Sequence, residues 1–192
     1  VEATSGNTGI GLACVCAARG YRLTIVMPDN MTQERIKILQ ALGATVELTP
    51  ASRGIKGAVA LADEILAANP GSFAPRQFEN PANPDAHRKT TAPEIWRDTD
   101  GGVDVFIATA GTGGTFTGVS DVLKGLNPNI RCIVVEPAES SVIAGGEPHP
   151  HGIAGIGPGF VPETLCVALA DEVLPVATKD AREMTRRLAR EE

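Results

Sequence analysis

Aromatic side chains are scarce in this chain, 4% of 192 residues with one Trp and one Tyr. That leaves no stacking platform of the kind that holds single-stranded nucleic acid. Positive charge is also in short supply: 17 basic residues face 23 acidic ones, for a formal charge of −6. No basic run is longer than a pair such as Arg186-Arg187. A nucleic-acid partner and an anionic-membrane surface are therefore not expected. Long apolar runs are missing; the stretch 10–18 is far too short to cross a bilayer. The opening Val1-Glu2-Ala3-Thr4 has no basic n-region, so no secretory signal is read there. Cysteine is sparse, and Cys14, Cys16, Cys132 and Cys166 show no C-x-x-C spacing. They are expected to be reduced, buried thiols of a cytoplasmic protein.

Glycine (21) and proline (14) are plentiful, and 43% apolar with 21% charged residues is an ordinary globular balance. Short β-branched runs alternate with helical patterns throughout. Strands are expected at 22–27 (RLTIVM), 45–48, 72–78, 103–108, 131–135 and 172–176. Helices are expected at 10–19, 32–42, 57–68, 85–97, 114–126 and 178–190, with Thr32 and Thr178 as caps. In the third of these, Ala58, Leu61, Ala62, Ile65 and Leu66 fall on one face. Such alternation implies an α/β fold of two open sheets with parallel strands, whose order the pattern alone does not give. Asn80-Pro81-Ala82-Asn83-Pro84 is the strongest punctuation and places a lobe boundary between residues 1–79 and 80–192.

Two loops carry unusual chemistry. Thr4-Ser5-Gly6-Asn7-Thr8-Gly9 leads into the first helix, and Gly111-Thr112-Gly113-Gly114-Thr115 leads into the helix at 114–126. In open α/β sheets, ligands sit where strand ends meet helix N-termini. Glycines there permit close backbone approach, and unpaired amides with hydroxyls supply donors for an anion. Two such cradles suggest a ligand pair carrying a phosphate and a carboxylate. The same residue types also serve as ordinary caps. A dinucleotide site with Glu136 on a ribose is disfavoured, because Gly111, Gly113 and Gly118 give G-x-G-x4-G. A P-loop is excluded by the absence of Gly-Lys-Ser/Thr. His87, His149 and His151 are read as surface-loop histidines, and no metal is expected.

Taken with Met27-Pro28, residues 37–44, Gln77-Phe78, Lys89-Thr90-Thr91, Pro93-Glu94-Ile95-Trp96, Gly155-Ile156-Gly157 and Gly159-Phe160, these loops resemble the β-family (fold type II) of pyridoxal-phosphate enzymes, and within it the cysteine synthases, or O-acetylserine sulfhydrylases. The resemblance implies a two-lobed αβα architecture, with a substrate-loop lobe at 1–79 and a cofactor-phosphate lobe at 80–192. It implies that Gly111, Thr112, Gly113, Gly114 and Thr115 hold the phosphate of pyridoxal 5'-phosphate, and that Asn7 bonds the ring hydroxyl. Thr4, Ser5, Gly6, Thr8 and Gln77 would take the substrate carboxylate, with Gly155 and Ile156 lining the site. The implied reaction is β-replacement, O-acetylserine plus sulfide giving cysteine plus acetate through an aminoacrylate intermediate. Also implied are a homodimer and binding of the serine acetyltransferase C-terminal tail.

The family's Schiff-base lysine lies upstream of the position matching Val1. None of Lys37, Lys56, Lys89, Lys124 and Lys179 matches it. No catalytic residue is therefore assigned within the 192 residues, and truncation at both ends is the expectation, with the chain alone inactive. Two other readings remain: cystathionine β-synthase or another β-family lyase, and a catalytically silent binding or regulatory remnant.

Overall fold

The computed structural model describes residues 1–4 and 6–192, and the chain divides into two compact units, Val1–Gln77 and Phe78–Glu192. In the first unit the elements are β1 (Glu2–Ala3), α1 (Asn7–Arg19), β2 (Thr24–Pro28), α2 (Gln33–Ala41), β3 (Thr45–Thr49) and α3 (Gly54–Ala68). The strands form a parallel sheet in the order β1-β2-β3, with Ala3 opposite Val26 and Val26 opposite Glu47. Strand β2 is central and buried on both faces, which is why it reads as an unbroken apolar run. Ile25 and Met27 join Ala13, Ile36 and Leu39 in one cluster. Val26 points the other way, to Ala3 and to Ala58 and Ala62 of α3. Helices thus flank both faces of this sheet.

The second unit contains α4 (Ala82–Lys89), α5 (Thr91–Asp98), β4 (Val105–Thr109), α6 (Gly114–Leu126), β5 (Arg131–Pro137), β6 (Glu172–Val176) and α7 (Thr178–Glu191). Its sheet is parallel in the order β4-β5-β6. Phe116, Val119 and Leu123 of α6 pack with Ala92, Cys132 and Val134 in its core, with Phe106 and Ala108 of β4 against them. Val105 and Ile107, the alternate residues of β4, are exposed.

Several sequence expectations are corrected. The stretch expected as a strand at 72–78 forms loop and turn. Pro75 interrupts it, Arg76 takes φ 52°, and the amides of Arg76 and Gln77 bond to the Glu2 carboxylate instead of a neighbouring strand. The single helix expected at 85–97 is two helices broken at Thr90, which has φ −124° and ψ −73°. Pro93 explains the break, since a continuous helix would set its ring against the Lys89 carbonyl and lose that bond. Thr32 occupies the N-cap of α2, but its side chain makes no capping bond. Ala177, not Thr178, caps α7; Thr178 instead accepts a bond from Gly152 N at 3.0 Å. The four thiols are free, yet only Cys132 is buried; Cys14 and Cys166 are exposed and Cys16 is half-buried. Cys14 falls on the open side of α1, and Cys166 sits in a loop outside the regular elements.

Candidate functional site

In the first unit the chain leaves β1 through Thr4, whose amide continues the ladder to Val26 O at 3.0 Å. Thr4 is buried, and its hydroxyl oxygen accepts from Gly6 N at 3.2 Å. Gly9 is buried in the first turn of α1, where a Cβ would lie only 2.8 Å from the Thr4 methyl. Glycine there lets the helix start settle onto the strand end. Thr8 donates through its hydroxyl to Gln77 Oε1 at 2.8 Å, and Gln77 Nε2 donates to Ala3 O at 2.7 Å. Thr4, Gly6, Thr8 and Gln77 are thereby gathered around one helix N-terminus, although Gln77 is 69 residues from Thr8. Asn7 opens α1 with an exposed side chain, and Ser5 lies outside the described residues.

What holds Gln77 in place escaped the sequence reading. Glu2 is 3% exposed and accepts from Arg76 N at 2.8 Å and Gln77 N at 3.0 Å. Burial pushes its carboxyl above the ordinary value, and those two amides together with Arg76 oppose the rise only partly. A single acid within β1 gives no sequence signal for this role.

In the second unit the loop at 111–115 joins β4 to α6. Gly113 caps α6 with φ 82°, a left-handed conformation natural to glycine, and a Cβ there would strike Leu165. Gly111 faces the loop at 155–157, where a Cβ would come within 2.5 Å of Gly155 O. Gly157 N donates to Ala110 O at 3.0 Å, so the expected Gly155 and Ile156 do lie beside Gly111. His151 braces the same loop: its Nδ1 accepts from Ile153 N at 3.3 Å and its Nε2 lies 2.9 Å from Gly157 O. From the other side, Thr164 donates to Thr112 O at 2.6 Å, and Cys166 N donates to Thr117 Oγ1 at 2.8 Å. Glu136 is buried and accepts from Ile143 N and Ala144 N at 2.7 and 2.9 Å, a turn-holding role with no place for a ribose.

His87 corrects a further expectation. It is not on a surface loop but half-buried on α4, with Nδ1 2.8 Å from Thr91 Oγ1 and Nε2 3.1 Å from Thr115 Oγ1. Burial lowers its pKa. Asn83, read only as part of the punctuation, donates to Thr112 Oγ1 at 2.9 Å. The signal that could have found both is a pair of matching spacings: Asn83 and His87 are four apart on one helix, Gly114 and Gly118 four apart on another.

Each unit therefore presents an anion-suited helix start, and neither α1 nor α6 carries an acidic residue in its first turn. The 111–115 loop suits a phosphate: first-turn amides, two hydroxyls, and glycines that let the loop pack closely on Gly155, Leu165 and Asn83. Among the described residues no group of three or more His, Cys, Asp or Glu could hold a metal ion, and no helix is long and apolar enough to cross a membrane.

A family model described as pyridoxal-phosphate dependent enzyme matches residues 1–192. The chain is 53% identical to cysteine synthase A of Escherichia coli over its whole length, and it spans 62% of that relative. Among solved structures, a cysteine synthase from Entamoeba histolytica superposes with a TM-score of 0.91 at 45% identity, over 98% of this chain and 56% of that one. An O-acetylserine dependent cystathionine β-synthase from Helicobacter pylori gives 0.92 at 42% identity, over 98% and 61%.

Proposed function

The chain belongs to the family of pyridoxal-phosphate dependent enzymes, and from that premise we propose that it serves cysteine synthesis by β-replacement, O-acetylserine exchanging acetate for sulfide. The observation that carries the reading is the 111–115 loop, a phosphate cradle of Gly-Thr-Gly-Gly-Thr at the start of α6, in a chain 53% identical to a cysteine synthase. When bound there, pyridoxal phosphate supplies an electron sink for negative charge at the substrate α-carbon. The chain's own residues do the holding. Thr112, Thr115 and the amides from Gly111 to Thr115 fix the phosphate, with Gly155 and Ile156 beside them, and Asn7 orients the ring through its hydroxyl.

Thr4, Ser5, Gly6, Thr8 and Gln77 take the amino-acid carboxylate. The Gln77 carboxamide is aimed by its bonds to Thr8 and Ala3, and its backbone by Glu2. The covalent anchor of the cofactor is assigned to none of the five lysines. The resemblance to cysteine synthases also supports a homodimer in the cytoplasm that takes the serine acetyltransferase C-terminal tail as a partner. A second reading, cystathionine β-synthase chemistry on the same O-acetylserine, is favoured by the likeness to the Helicobacter pylori enzyme.

The test is an assay of the natural protein with pyridoxal phosphate, O-acetylserine and sulfide. Cysteine and acetate should appear one for one, and Gln77→Ala should mainly raise the requirement for O-acetylserine. Turnover only when a larger thiol replaces sulfide would favour the second reading. No release of acetate with any thiol would refute both.

A further inference from the structure

The contacts made by α4 to the phosphate cradle point to a role that the reading above does not use. Asn83 and His87 lie on one face of this helix, and that face meets the two threonine hydroxyls of the 111–115 loop. The approach is close because α6 carries glycines opposite it. A side chain at Gly114 would collide with the Asn83 carboxamide; one at Gly118 would collide with Pro84 O and lie 2.8 Å from His87 Cβ.

The direction of these hydrogen bonds can be worked out. A threonine hydroxyl has one proton and two acceptor positions. Thr112 Oγ1 accepts from Asn83 Nδ2 at 2.9 Å and from Gly114 N at 3.4 Å. Both acceptor positions are used, so its proton is left to point elsewhere. For Thr115 the direction depends on the imidazole tautomer. A phosphate monoester dianion only accepts, so a hydroxyl that serves it must give its proton outward and accept from the ring. That requires Nε2–H facing Thr115 and a bare Nδ1 accepting from the Thr91 hydroxyl, at the 3.1 and 2.8 Å separations found. Burial of His87 favours the neutral ring this needs.

We propose that Asn83 and His87 are positioning residues for the cofactor phosphate: they fill the acceptor positions of Thr112 and Thr115, so that both hydroxyl protons point at the anion, with Thr91 setting the His87 tautomer. This rests on the assignment of the 111–115 loop to the phosphate. Neither residue touches the phosphate. Each acts through a threonine.

The test uses the natural protein loaded with pyridoxal phosphate. Nitrogen-15 spectra of His87 should show Nε2 protonated and Nδ1 bare. His87→Ala and Asn83→Ala should each weaken pyridoxal-phosphate binding about tenfold, the scale of one hydrogen bond to a charged group. Each should also move the phosphorus-31 resonance of the bound phosphate. His87→Gln, whose Nε2 can stand where the ring Nε2 stood, should recover most of the loss; packing alone would not predict that recovery. An Nδ1-protonated ring in the loaded protein overturns the proposal, and that result needs no variant to fold. So do alanine variants that bind with wild-type affinity and an unmoved resonance. Thr112→Val and Thr115→Val separate the two levels: if they weaken binding and the α4 variants do not, only this proposal fails. If the threonine variants bind normally as well, the assignment of the loop fails with it.

Discussion

Gly118 tests how α4 and α6 are held together. Replacing it with alanine adds a methyl that collides with Pro84 O and lies 2.8 Å from His87 Cβ and 3.1 Å from Arg88 N. Carbon atoms pack best at about 3.5–4.0 Å, so α4 must retreat by roughly 0.7 Å or more. Such a retreat would stretch the Asn83–Thr112 and His87–Thr115 bonds, now 2.9 and 3.1 Å, beyond hydrogen-bonding range. The gain in helix propensity, about 1 kcal/mol, opposes an overpacking cost of about 1–3 kcal/mol and two lost bonds of about 1 kcal/mol each. The expected result is a net loss of about 3 kcal/mol. Gly125 provides the control on the same helix, because nothing lies within 4 Å of a Cβ there. Gly125→Ala should stabilise by about 0.5–1 kcal/mol. The chain's one tryptophan, Trp96, packs against the core of the second unit, so its fluorescence during urea unfolding reports that unit. Equal midpoints for the two variants would refute the close-packing argument.

Three further outcomes follow from the packing and charges. Phe116 is fully buried among Ala92, Val119 and Leu123, so Phe116→Ala should cost about 3–5 kcal/mol in the same unfolding assay. Burial raises the Glu2 carboxyl above 4.5, so its folded form holds the proton more tightly than its unfolded form. The stability it contributes is present below that ordinary value and is lost as pH rises through the raised one. Wild type should therefore lose stability relative to Glu2→Gln across that window, and parallel pH profiles would contradict the assignment. The Asp171 carboxyl is held below 3.8, chiefly by Lys124 at 2.7 Å and then by the Cys132 amide at 2.7 Å. Its contribution is present above 3.8 and lost as pH falls through the lowered folded value. Asp171→Asn should be less stable than wild type at neutral pH, and the two should converge in acid.

Much of the framework was legible because it follows from periodicity. The run around Ile25, Val26 and Met27 reads as a strand buried on both faces, and Ala58, Leu61, Ala62 and Ile65 read as the inner face of α3. The glycine-threonine loop reads as an anion cradle by residue type, and its expected place before the helix at 114–126 is where it lies, at the start of α6. The failures came where one residue acts on a distant one. Pro93 breaks a helix by its effect on the Lys89 carbonyl, four residues back, while the charged residues on either side still read as continuous helix. Glu2 claims two amides from a segment 74 and 75 residues away, so 72–78 could not pair as its composition suggested. The spacing of Asn83 and His87 is visible in sequence, but only the packing of α4 on α6 shows that they face Thr112 and Thr115.

The account stands most directly on where the cofactor phosphate binds, and a crystal structure of the natural protein with pyridoxal phosphate decides it. The phosphate oxygens should lie about 2.7–3.1 Å from Thr112 Oγ1, Thr115 Oγ1 and the first-turn amides of α6. A phosphate held by other residues, with the 111–115 loop making no contact to it, would contradict the central claim.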